Sequence, residues 1–115
     1  MFCLGDDSTV YYLSRTATDM RKGFDALCGE VRLKMGRDPY SQEVFIFYNS
    51  SRTRLKLLRY ERGGLVLYHK RLDRGTLTLP AFDRSCGGFR ITWRQLVLMV
   101  EGVSLQRIRC RRRLE

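Results

Sequence analysis

Apolar positions along the chain change period several times. TVYYLS (9–14) is a short β-branched and aromatic run and predicts a strand. Met20, Phe24, Leu27, Cys28, Val31 and Met35 then recur at helical spacing. Thr18 or Asp19 is available as N-cap and Gly36 as stop, so a helix is expected over 19–35. EVFIFY (43–48) is an apolar strand, NSSRT a polar turn and RLKLLRYE a second strand. Gly63-Gly64 marks a tight hairpin into LVLYHKRL, and TLTLP (76–80) alternates until its proline. FDRSCGG reads as a loop, and FRITW leads into a closing helix over 92–102. Thr92 and Gln95 have capping-box spacing, and Leu96, Met99, Val100 and Val103 form an apolar face that Gly102 ends. The expected fold is α+β, a curved antiparallel β-meander sheet packed against these two main helices.

Strand RLKLLRYE combines leucines with cations. Alternation turns Leu55 and Leu57 inward and Arg54 and Lys56 outward, and the adjacent Leu57-Leu58 pair suggests a bulge. The expected product is a twisted sheet with one basic side.

A chain of 115 residues has room for one core. A single domain is expected over 1–106, with a basic, flexible tail at 107–115. No apolar run is long enough to span a bilayer, and the N-terminus has neither a basic leader nor an apolar signal core, so a cytoplasmic location is expected. Cys3, Cys28, Cys86 and Cys110 are scattered and form no CxxC pair. They read as free thiols, with Cys28 a small core residue.

The net charge of +10 is unevenly placed. Residues 50–74 carry eight basic and two acidic side chains, and residues 107–115 carry five and one. Such concentration favours a polyanion partner. The expected nucleic-acid-binding residues are Arg52, Arg54, Lys56, Arg59, Arg62, Lys70, Arg71 and Arg74. Tyr48, Tyr60 and Tyr68 interleave with them, either to stack on bases or as half-buried sheet residues. Arg21 and Lys22 fall in the first turn of the first helix, against its dipole, and either contact a partner or reach an acidic neighbour.

Catalytic chemistry finds little support. His69 is the only histidine, and no serine or cysteine stands at a spacing that identifies a nucleophile for it. A metal would need carboxylates such as Asp19, Asp25, Glu43 or Asp73. Asp19 and Asp25, six apart on one helix, do not share a face. No glycine-rich phosphate loop opens a helix. No enzyme activity, metal or cofactor is expected.

TDMRKGFDAL (18–27), GRDPYS (36–41), VFIFYN with RTRLKLL after it, YHKRLDRG (68–75) and TWRQLVLMVEG (92–102) occur in this order. Together they resemble the small accessory protein of the insertion sequence 66 family of bacterial transposons, its second-open-reading-frame product. The resemblance covers about residues 9–103. It implies an element that encodes a separate, larger transposase, which this protein assists, and it carries over no catalytic residues. Leucines in LVLYHKR and TLTLP stand where the family resemblance leads one to expect aromatic residues. The expected function is a non-enzymatic accessory factor for DNA transposition, with DNA and the transposase as partners. The alternative is an adaptor that docks on the transposase without productive DNA contact.

Overall fold

The structure, a computed structural model, describes residues 8–80 and 88–101. Five strands form one sheet: β1 (Tyr11–Ser14), β2 (Val44–Tyr48), β3 (Arg54–Glu61), β4 (Gly64–Arg71) and β5 (Gly88–Ile91). Between β1 and β2 lies helix α1 (Phe24–Glu30), which continues as one π-helical stretch over Val31–Met35. Residues 93–101 are helical and form α2.

The sheet order is β4-β3-β2-β1-β5. β1 and β2 run parallel, with Tyr11 opposite Val44, and all other pairs are antiparallel. The expected antiparallel, curved meander is therefore replaced by a mixed sheet that does not curl strongly. The reason lies in the connection. A parallel pair needs a long crossover, and the segment between β1 and β2 supplies one that carries α1.

Helices cover both faces of this sheet. On one face Phe45, Phe47 and Leu58 pack with Leu27, Cys28 and Val31 of the first helix. On the other, Ile46, Leu55 and Leu57 pack with Leu96 and Met99 of α2. Every residue of β2 is consequently buried, as expected for a strand between two layers. The same arrangement explains Leu57 and Leu58. Each faces a different layer, the rungs Phe45↔Leu58 and Ile46↔Leu57 follow without interruption, and the expected bulge is absent.

Three local features follow the sequence closely. Gly36 ends the first helix at φ 65°, in the left-handed region that glycine adopts without strain. Thr92 and Gln95 form the reciprocal capping box: the Thr92 N–H donates to Gln95 Oε1 (2.8 Å) and the Gln95 N–H to Thr92 Oγ1 (3.0 Å). Arg62 and Gly63, both at positive φ, are the central pair of the β3–β4 turn, while Gly64 already pairs with Glu61. That is the geometry of a two-residue type I′ hairpin, one residue earlier than Gly63-Gly64.

Other expectations are corrected. The helix begins at Phe24 rather than 19 because Asp19 closes a turn on itself. Its carboxylate accepts the Arg21 N–H (2.9 Å), and its carbonyl accepts the Lys22 N–H (3.2 Å). Residues 76–80 form no strand. The Leu77 N–H donates to Arg52 O and the Thr78 N–H to Met99 O, so loop and helix replace a ladder. Lys56, expected outward, is buried, and its Nζ donates to the carbonyls of Met20 (2.6 Å) and Lys22 (2.8 Å).

Cys28 is buried and free, and burial pushes its thiol up. Cys3, Cys86, Cys110, the boundary at 106 and the 107–115 tail lie outside the described residues. Among the described residues no helix is long and apolar enough to cross a membrane.

Leu58→Ala should cost about 2–5 kcal/mol in urea unfolding. Leu33→Ala, at a side chain 88% exposed, should stay within about 0.5 kcal/mol. Acid should act partly through Glu30. Burial pulls its carboxyl up, but the ammoniums of Lys22 and Lys34 outweigh that and hold it below its ordinary 4.5. A depressed carboxyl stabilises the fold above its unfolded value, and that stability is lost as pH falls through the folded one. Unfolding free energies measured from pH 7 downward should therefore decline below about 4.5, and more shallowly in Glu30→Gln.

Candidate nucleic-acid interface

The hairpin distributes the eight candidate cations over two faces and two ends. Directly opposed residues share a face, so the rungs Arg54↔Arg71 and Lys56↔His69 lie on the α1 side. Arg59 and Lys70 lie on the α2 side. Arg59 Nε stands 4.0 Å from the Glu61 carboxylate, and Lys70 lines a cleft against α2. Arg62, in the turn, lies eight residues beyond Arg54 at the far end of β3, about 26 Å at ~3.3 Å per residue.

What the fold brings together is the open end of the hairpin. Arg52 sits in the preceding loop at φ 58°, where its N–H donates to Asn49 O and its carbonyl accepts the Leu77 N–H. Asn49 holds that loop, its Oδ1 accepting the N–H groups of Thr53 (2.8 Å) and Arg54 (2.9 Å). The Leu72 N–H donates to Thr53 O (2.8 Å), which ties the chain after β4 to the start of β3. Arg52, Arg71 and Arg74 are exposed and Arg54 is half-exposed. Among the described residues none of these four forms an ion pair.

Lys56 leaves this set, because its ammonium is engaged beneath the 19–22 turn. Arg21 and Lys22 precede the helix and reach acidic neighbours. Arg21 forms a bidentate pair with Asp19 (2.7 and 3.1 Å) that holds the Asp19 carboxyl down at about 2, and Lys22 pairs with Glu30. The tyrosines are sheet residues: Tyr48 is buried, Tyr60 packs edge-on against Tyr40, and the Tyr68 hydroxyl donates to Glu61 (3.4 Å).

His69 lies on the same face as Arg54 and Arg71. Although His69 is exposed, partial desolvation, then the charges of Lys56 and Arg54, push its imidazole below the ordinary value. The turn held the signal: once Arg62 and Gly63 are its central pair, every rung of the hairpin is determined. Among the described residues no group of three His, Cys, Asp or Glu side chains is placed to hold a metal ion. A second feature is an apolar cleft of about 350 Å³ between β3–β4 and α2, lined by Leu55, Leu57, Tyr68, Trp93, Leu96 and Val100 among others.

Comparison with known proteins agrees with the motif blocks. The family model for IS66 Orf2-like protein matches residues 9–110. In Sinorhizobium fredii (strain NBRC 101917 / NGR234), uncharacterized protein y4hO is 33% identical over 86 residues, which span 75% of this chain and 73% of the relative. Uncharacterized protein y4jC of the same strain is 25% identical over 91 residues, spanning 79% and 76%. No solved structure gives a significant match. With the family match covering most of its length, the chain belongs to the IS66 Orf2-like family.

Proposed function

We propose that this protein is a non-enzymatic accessory factor of insertion-sequence transposition that binds DNA phosphates through the open end of the β3–β4 hairpin and assists a separate transposase. Family membership ties it to transposition as an accessory protein. The observation that carries the DNA reading is the Arg54↔Arg71 rung. Like charges directly opposed across a sheet destabilise it, and here neither arginine has a carboxylate partner among the described residues. Arg52 and Arg74 extend the same positive end, and guanidinium groups suit bidentate contact with phosphate. Residues 107–113 (RIRCRRR) would add sequence-independent phosphate contacts.

The apolar cleft beside α2 favours a second reading, an adaptor that docks on the transposase without productive DNA contact. Salt dependence separates the two. Fluorescence anisotropy of the full chain on a short duplex should give an affinity that falls steeply with salt. Arg54→Gln/Arg71→Gln should flatten the slope of log K against log[salt] by up to about 2, near 0.9 per lost phosphate contact. Lys56→Gln should lower stability and leave the slope in place. An unchanged slope in the double variant removes this rung from the mechanism.

A further inference from the structure

Two adjacent rungs of the hairpin place four basic side chains on one face, Arg54 opposite Arg71 and Lys56 opposite His69. Opposed Cβ atoms on antiparallel strands lie about 4.5–5.5 Å apart, so these groups share one field. Lys56 Nζ donates to two backbone carbonyls, and among the described residues no carboxylate pairs with it. Arg54, His69, Arg71 and Asp73 together line an open surface depression of about 380 Å³. Asp73 is its one acidic group. From the turn packed on this face, Lys22 is directed to Glu30 and Arg21 to Asp19. His69 also borders the cleft between β3–β4 and α2, where Lys70 and Glu101 lie.

We propose that a phosphodiester of bound DNA seats on the Arg54–Arg71 rung and draws a proton onto His69, making DNA binding proton-linked. This inference rests on the DNA-binding reading and adds to it a titrating group that arginine contacts lack. Without ligand, partial desolvation and the fields of Lys56 and Arg54 lower the imidazole from its ordinary value. A phosphate anion on the rung offsets those fields, and imidazolium can then donate a charge-assisted hydrogen bond to it. The proton comes from solvent, and no covalent bond changes. The sign follows from linkage. A group whose bound value exceeds its free value strengthens binding below the free value, and that gain is lost as pH rises through the bound one. Arginine stays charged throughout this range, so the rung alone produces no such window.

The test is direct because His69 is the only histidine in the chain. NMR titration of its ring protons in the full chain, with and without a short duplex, should show the midpoint rising when DNA is bound. Anisotropy at constant salt should show tighter binding as pH falls from 7.5 to 5.5, by about tenfold for each unit of that rise. His69→Gln should abolish the pH dependence, and Arg54→Gln/Arg71→Gln should abolish the rise in midpoint. DNA binding with an unmoved midpoint and a flat pH profile overturns this inference and leaves the DNA reading standing. Absence of DNA binding at every pH overturns both. A midpoint moved by inorganic phosphate but not by DNA makes the depression a small-anion site and overturns the assignment to DNA.

Discussion

The Lys56 ammonium lies under the turn that leads into α1, where it donates to the carbonyl oxygens of Met20 and Lys22. Removing a charge from water is costly unless its donors are satisfied, and those two carbonyls offset the cost. They are available because residues 19–22 form a turn held by Asp19 and leave the helix to begin at Phe24. The contact fastens the crossover onto the sheet, and α1 then covers Phe45, Phe47 and Leu58. Strand β3 is thereby enclosed between two helical layers.

The same contact shapes the electrostatics of the hairpin. Lys56 holds a positive charge inside the structure beside His69 and one rung from Arg54 and Arg71. Elsewhere Arg21 is matched by Asp19, Lys22 and Lys34 by Glu30, and Arg37 by Glu43, while Arg32, Arg62, Arg90 and Arg94 form no ion pair among the described residues. Arg52, Arg54, Arg71 and Arg74, without an ion pair among the described residues, stand together where β3 begins and β4 ends. A local field of one sign at an exposed strand end is what an anionic polymer would meet first.

Local signals were legible in the sequence, and non-local ones were less so. The helical spacing of Leu27, Cys28 and Val31, the stop at Gly36 and the capping box at Thr92 and Gln95 depend on neighbours within a few residues, and all three stand in the structure. The parallel β1–β2 pair joins segments thirty-three residues apart, as in Tyr11↔Val44, and no local pattern encodes it. A clue was present in VFIFY, whose unbroken apolar run is typical of a strand covered on both faces. Lys56 misled because alternation describes a strand with one wet face, whereas its covering carbonyls come from 34 and 36 positions away. Of the candidate site, the cations were legible as a group. Their division between two faces became clear only with the turn at Arg62-Gly63 and the register it sets.

The most direct test of the central claim is to map duplex DNA onto the backbone amides of the full chain by NMR chemical-shift perturbation. The account predicts that, within the described residues, the changes concentrate at 52–54 and 69–74, the open end of the hairpin. Changes concentrated at 93–100 and at Leu55, Leu57 and Tyr68 of the apolar cleft, with 52–54 and 71–74 unmoved, would contradict it.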